Sequence, residues 1–358
     1  MQTTLYDLRG GGGPFVQNSA GIGVIPRPAC PLCGCPGRVL YTGLVDWLYG
    51  APQNWGTRRC SACEVIWLDP QPVPSDIPRL YFQYCTHHAK ETVTWIGRLQ
   101  HEMSECALAR LGYPTKAPKG ILLRLLSRLP SVERAALLSV FALPASGAGN
   151  LLDVGCGNGQ FIARMRAFGW KVSGIDPDPA AVSYGRSQGI EIHVGTIADL
   201  PESARYDVIT LSHVVEHVAD PVDLLRECGK RLQPGSGRLI ITTPNINSLG
   251  HTWFRKYWRG LEVPRHFVVF SPAGLRACVE RAGLRLQSLS TETRLAPMIY
   301  YHSAYAKAGD LGVANRINFK TSTKVAARLF RMIENLLVYL KKDAGEEIFC
   351  ICVVPRES

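Results

Sequence analysis

Apolar runs of strand length recur through the second half of the chain: Leu151–Val154, Lys171–Asp176, Ile190–Val194, Tyr206–Ser212, Arg238–Thr243, Leu284–Ser290 and Glu347–Val354. Most are too uniformly apolar to be half-buried strands, and helical spacing separates the early ones, as in Gln160–Phe168. That alternation predicts an α/β protein with a mainly parallel sheet. Ahead of it, residues 91 to 141 show helical periodicity broken by prolines. Near the end, Val325, Leu329, Ile333, Leu336, Leu337 and Leu340 form the apolar stripe of an amphipathic helix edged by Lys324, Arg328, Arg331, Lys341 and Lys342. Packing on its own domain or on a dimer mate is the first expectation for that stripe; contact with a membrane surface is the second.

The first strand runs straight into Asp153-Val154-Gly155-Cys156-Gly157-Asn158-Gly159. Three alternate glycines let backbone approach a ligand where a Cβ would collide, and the helix that follows offers its N-terminal amides to a carboxylate. A dinucleotide fingerprint would place its third glycine where Gln160 stands, and would not call for an acid at Asp153. The second strand ends in Asp176-Pro177, about twenty residues past the loop, where a carboxylate can accept from both hydroxyls of a ribose. The third strand leads into Gly195-Thr196-Ile197-Ala198-Asp199. The fourth leads into His213-Val214-Val215-Glu216-His217-Val218-Ala219-Asp220-Pro221. Further on come Tyr257-Trp258-Arg259-Gly260-Leu261-Glu262-Val263-Pro264-Arg265-His266 and Phe270-Ser271-Pro272.

These segments, in register, resemble the class I S-adenosylmethionine-dependent methyltransferases, and within them the subgroup marked by "EH-x-x-DP" and "P-R-H … F-S/T-P". The resemblance implies a Rossmann-like seven-stranded sheet. It also implies S-adenosylmethionine contacts from Asp153, Gly155, Cys156, Gly157, Gly159, Asp176 and Pro177, adenine contacts from Ile197 and Asp199, and a cofactor contact from His213. Many relatives place an acid where this chain has Thr196.

Cysteine usage adds a second chemistry. Of twelve cysteines, four form two knuckles, Cys30-Pro-Leu-Cys33 and Cys60-Ser-Ala-Cys63, which together make a four-sulfur zinc site of the closed, structural kind. A hairpin through Val39–Tyr41 and Thr57–Arg59 would join them, with 46–56 as an outer loop and Cys35 as a spare thiol. The expected organisation is a mobile tail (1–25), a zinc-ribbon-like module (26–72), a helical linker and cap (73–147) and the methyltransferase domain (148–358), with the proline-rich run Asp69–Pro74 as the linker leading out of the zinc module.

The 358 residues, 46% of them hydrophobic, suffice for a full α/β core. No apolar run reaches the ~20 residues of a membrane span and no leader pattern opens the chain, so the expected location is cytoplasmic, or peripheral to the inner membrane face. The net charge of +11, with Arg255, Lys256, Arg259 and Arg265 beside the substrate segment, suits an anionic acceptor.

Methyl transfer to a hydroxyl needs in-line positioning and a base, for which histidine is suited near neutral pH. His217 and His266 are the two candidates, with Tyr81, Tyr84, Tyr257, Trp258 and Arg265 on the substrate side. The resemblance to enzymes of glycan and secondary-metabolite assembly implies O-methylation of a small-molecule or glycan acceptor, nucleotide- or lipid-linked. Sugar C-methylation uses the same parts. An RNA base methyltransferase is the rival reading, although no nucleic-acid module, no Asn/Asp-Pro-Pro-aromatic loop and no Pro-Cys nucleophile is found. A non-catalytic cofactor-binding protein that recruits a partner is a third.

Overall fold

The computed structural model describes residues 16–17, 21–81, 95–115, 120–146, 149–310, 312 and 319–355. Most of the expected tail and Tyr84 lie outside them. Contacts divide the chain into two compact units. One joins Met1–Tyr84, His213–Arg226 and Ile241–Cys352; the other joins Cys85–Ser212, Glu227–Ile240 and Val353–Ser358.

In the first unit, β1 (Val16–Gln17), β2 (Gly23–Ile25) and β6 (Gln71–Pro72) form a three-stranded sheet in the order β1-β2-β6. Gly23–Ile25 thus belongs to a strand rather than to the tail expected up to residue 25. The proline-rich run is not a linker either. Asp69 and Gln71 are buried, Asp69 is ion-paired with Arg58, and β6 takes the edge position, where a proline's missing N–H does no harm. A second sheet comprises β3 (Arg38–Leu44), β4 (Trp55–Arg59), β5 (Ile66–Leu68) and β12 (Val268–Val269) in the order β12-β5-β4-β3. Val39 pairs with Arg58 and Tyr41 with Thr57, as the hairpin between the knuckles requires.

The fourth strand of this sheet comes from two hundred residues away: Val268 pairs with Trp67 and Val269 with Ile66. The four-cysteine segment is therefore not a module closed at residue 72 but shares a sheet and a core with the Pro-Arg-His segment. Gly274, near the start of α8 (Pro272–Arg281), shows how close the packing is, since a Cβ there would stand 2.5 Å from Val65 and 2.9 Å from the Cys63 carbonyl.

The remaining strands are β7 (Asn150–Val154), β8 (Lys171–Asp176), β9 (Ile192–Val194), β10 (Val208–Ser212), β11 (Arg238–Pro244), β13 (Arg285–Glu292) and β14 (Glu347–Val353). They make one seven-stranded sheet in the order β13-β14-β11-β10-β7-β8-β9. Counted along the chain this is 6-7-5-4-1-2-3, with the order reversing between β7 and β10, and such a reversal opens a ligand crevice at the carboxyl ends of the strands. β10, β7, β8 and β9 run parallel. In the second unit, α4 (Gln160–Ala167) follows β7 and α5 (Pro179–Ser187) follows β8. α5 starts where Asp178 accepts from the Ala180 amide at 2.8 Å, with Pro179 preset for the first turn. The helical stretch before the sheet resolves into α1 (Trp95–Arg110), α2 (Ile121–Leu126) and α3 (Pro130–Leu138), joined to α4 through the Arg164–Glu105 ion pair. The first unit holds α7 (Leu249–Phe254), α9 (Ala296–Lys307) and α10 (Thr321–Lys341), and α6 (Pro221–Arg231) runs from that unit into the second.

Candidate active site

Two constellations, one in each unit, carry chemistry. In the second unit the loop after β7 turns through Gly155, Gly157 and Gly159 at φ of 71°, 53° and 76°, a conformation that costs a side-chain-bearing residue about 1 kcal/mol or more. A Cβ at Gly157 would meet nothing within 4 Å, whereas one at Gly159 would strike Ile192 at 2.8 Å. Gly157 thus faces open space, and Gly159 allows tight packing below the loop. Asp176, at the end of β8, holds the loop from beneath: its Oδ2 accepts from the Gly157 amide at 2.8 Å and its Oδ1 from Asp178 N–H at 2.9 Å. The glycine turn, the open space over Gly157 and the acid beside it fit the adenosyl and ribose portions of S-adenosylmethionine. Ile197 is buried and Pro177 exposed.

Other expected cofactor contacts fall elsewhere. Asp153 is buried, accepts from Thr210 Oγ1 at 2.5 Å, and is pushed by burial up to about 7. It ties β7 to β10 rather than facing a ligand. Cys156 is likewise buried. Asp199 caps its own turn: its Oδ2 accepts from the Thr196 amide and hydroxyl at 2.7 and 2.9 Å.

The first unit gathers the histidines. The turn Val215–His217 is fastened to the Pro-Arg-His segment where the Phe267 amide donates to the Glu216 carbonyl at 2.7 Å, and this brings the His217 and His266 rings edge to face at 4.6 Å. Glu216 lies fully buried beneath them. Its Oε1 is 3.1 Å from His213 Nδ1, and its Oε2 accepts from Thr243 Oγ1 at 2.9 Å. One donor atom each from Glu216, His217 and His266 lies within 4.8 Å of the others. Burial disfavours the charge on Glu216, but the surrounding histidines outweigh it and hold the carboxyl down at about 2.

His213 has both ring nitrogens engaged, Nδ1 with Glu216 and Nε2 with Glu347 at 2.7 Å. Burial opposes its charge, yet the two carboxylates raise it to about 10, so it stands as an imidazolium in an ion-paired triad. Its φ of 55° is strained for a residue with a side chain, and the triad supplies the compensation. Contrary to the sequence expectation, neither ring nitrogen is left to hold a cofactor.

His266 is 5% exposed, its Nδ1 donates to the Gly260 carbonyl at 2.8 Å, and burial pulls it down to about 4. This enclosure runs against the role of base expected from the sequence, which needs a ring nitrogen open to an acceptor. His217 is less enclosed. Its Nδ1 lies 3.1 Å from the Arg265 carbonyl, which can only accept, so the ring proton sits on Nδ1 and the lone pair on Nε2. The Tyr81 hydroxyl oxygen stands 3.0 Å from the same Nδ1. Burial lowers the pKa of His217, which keeps the ring neutral and able to accept a proton.

Arg265 was expected on the substrate side. It is instead fully buried, held by Asp46 at 2.7 and 2.9 Å and by Glu262 at 3.2 Å, with its guanidinium 4.4 Å from the Tyr49 ring centre. Arg259 is paired with Glu262 as well. Of the four basic residues expected at a positive mouth, only Arg255 and Lys256 are exposed. Tyr257 and Trp258 do border a shallow surface depression, with Trp47, Lys256 and His302 also at its wall. Trp258 shows little of itself there, because its indole is buried and donates to Glu346 Oε2 at 2.8 Å.

Sequence reasoning missed the acids of this unit as partners. Glu216 and Glu262 lie inside quoted motifs, so their neighbours were a usable signal. Asp46 and Glu347 carry no local signal, since their partners are 219 and 134 residues away.

Cys30, Cys33, Cys60 and Cys63 converge, with all four sulfurs within 4.8 Å of one another and Cys33 Sγ 3.6 Å from Cys60 Sγ. Ligands of a tetrahedral zinc, at about 2.3 Å from the metal, stand about 3.8 Å apart, so the donor set fits zinc. Cys35 is exposed and outside the cluster.

A family model described as a methyltransferase domain matches residues 117–289. Among curated relatives, a ubiquinone biosynthesis O-methyltransferase of Xanthomonas oryzae pv. oryzae is 31% identical over 164 residues, 41% of this chain and 67% of that protein. A protein of the same name from Marinobacter nauticus is 40% identical over 106 residues, 27% of this chain and 44% of its own. A solved S-adenosylmethionine-dependent methyltransferase from Mesorhizobium loti aligns over 62% of this chain and 97% of its own, at 16% identity and a TM-score of 0.41.

Proposed function

The chain belongs to the class I S-adenosylmethionine-dependent methyltransferases, and from that premise we propose that it O-methylates a small-molecule acceptor, a sugar hydroxyl of a nucleotide- or lipid-linked glycan, with His217 as general base. The observation that carries the reading is the 3.1 Å approach of His217 Nδ1 to the Arg265 carbonyl: a carbonyl only accepts, so the proton belongs on Nδ1, burial favours the neutral ring, and Nε2 is left to take the acceptor's proton. S-adenosylmethionine supplies an already activated methyl group; Gly155, Gly157, Gly159 and Asp176 would hold it.

The other residues of the cluster act on His217. Tyr81 and the Arg265 carbonyl fix the ring's orientation, His266 packs against its face, and the buried Glu216 stabilises the imidazolium formed when a proton arrives. The names of the curated relatives support oxygen as the nucleophile.

Incubation of the purified protein with S-adenosylmethionine and a panel of nucleotide sugars, lipid-linked glycans and prenylated phenols, read by mass spectrometry, tests this. A sugar gaining one methyl group on oxygen is the expected product. Methylation of the phenols alone overturns the sugar assignment, and methylation on carbon overturns the role of His217 as a base toward a hydroxyl.

A further inference from the structure

α10 meets its own unit along one face. Ala327, Phe330 and Glu334 are buried there, the Phe330 ring lies 5.2 Å from Tyr300 and 6.2 Å from Phe254, and Asn335 Oδ1 accepts from Thr293 Oγ1 at 2.6 Å. This reverses the sequence expectation. Of the apolar stripe, only Leu337 is partly covered, while the residues that pack are the ones between.

The outward face carries Leu329, Met332, Ile333, Leu336, Tyr339 and Leu340, each between 50% and 82% exposed. At 100° per residue they fill an arc of about 120° along a helix about 30 Å long. Soluble surfaces rarely leave so continuous an apolar stripe uncovered. The charges around it have one sign. Lys324, Arg328 and Arg331 follow one border, and Lys341 and Lys342 close the C-terminal end. The single acid of the helix, Glu334, sits on the inner face, where burial, with Glu346 nearby, pushes it up to about 9.

We propose that the outer face of α10 docks on an anionic lipid bilayer, its apolar arc entering the headgroup boundary while Lys324, Arg328 and Arg331 meet the lipid phosphates. Charge complementarity selects this occupant. A second copy of the chain would bring another basic border and no acid to answer it, whereas an anionic leaflet offers apolar depth and negative charge together. Among the described residues no helix is long and apolar enough to cross a membrane, so the contact is with one leaflet.

Flotation of the full-length protein with phosphatidylcholine vesicles, and with phosphatidylcholine mixed with phosphatidylglycerol, tests the proposal. Binding to the mixed vesicles alone, weakening as salt rises, is expected. The exposed substitutions Ile333→Asn with Leu336→Asn, and separately Lys324→Glu with Arg328→Glu, should each lower the partition about tenfold or more, with S-adenosylmethionine affinity and circular dichroism unchanged. Failure of the wild type to float with anionic vesicles, or floating of the variants as well as the wild type, overturns it. So does sedimentation showing a dimer that the Ile333/Leu336 variant alone dissolves, because the face would then belong to a second copy.

Discussion

The glycine loop and the histidine cluster are built on opposite plans. Around the loop, the contacts that shape the glycine turn join residues close in sequence: Asp176 reaches Gly157 nineteen positions away, and the strand, turn and helix follow one another. Around the histidines the contacts span the unit, from Tyr81 to His217, Asp46 to Arg265 and His213 to Glu347. A site made of local backbone geometry is robust and much the same from one acceptor to the next. A site made of long-range pairings is tuned by whatever segments pack around it, and here one of those segments is the four-cysteine sheet.

Removing the metal should separate the two most strongly. Cys60→Ser is expected to lose zinc by elemental analysis and to abolish turnover, because the sheet that contains β12 and leads into the Asp46 loop comes apart, while calorimetry still finds S-adenosylmethionine bound to the second unit. Loss of cofactor binding in that variant would show the units to be one.

Within the histidine cluster, His217→Ala should lower kcat by about a thousandfold with cofactor affinity unchanged. Turnover within a few-fold of wild type would remove His217 from the chemistry. On the other side, Asp176→Ala should weaken S-adenosylmethionine by about a hundredfold in calorimetry, since two hydrogen bonds to a charged acceptor within the loop are lost along with those to the ligand. Equal affinity would move the ribose contact elsewhere.

The smallest expected effect is on the pH dependence of stability. His266 is held neutral by burial, its pKa falling from 6.5 to about 4, so the unfolded chain binds a proton that the folded chain refuses between those values. Its contribution to stability is therefore present above 6.5 and lost as pH falls toward 4, by about 3 kcal/mol at most. Replacing it in His266→Gln should flatten that part of the stability curve in denaturant titrations at several pH values. His213 works in the opposite sense. With its pKa raised to about 10, its contribution is complete below 6.5 and lost as pH rises through 10.

The sequence was a good guide wherever a residue's meaning rests on its neighbours. The seven strands, the glycine turn, Asp176 and the paired knuckles were all legible because strand periodicity, positive φ and thiolate spacing are local properties. It misled where the same residue type serves two ends. Arg265 and Trp258 have the composition of a substrate site, yet the burial that decides their role comes from Asp46 and Glu346, at the far ends of the unit. The apolar stripe of α10 was visible as a stripe, but periodicity does not say which face turns inward. Small Ala327 and aromatic Phe330 fit the core against α9 better than the broader stripe does.

By itself, then, the sequence determined the seven strands of the large sheet in chain order, the glycine loop and the four-sulfur set, since each is written in short-range spacing. Only the tertiary structure decided that the cysteine segment and the Pro-Arg-His segment share a sheet, that His217 rather than His266 keeps an open face, and that α10 turns its apolar side outward. Each of these depends on which distant surfaces bury one another, and burial is a property of the packed chain and not of any segment of it.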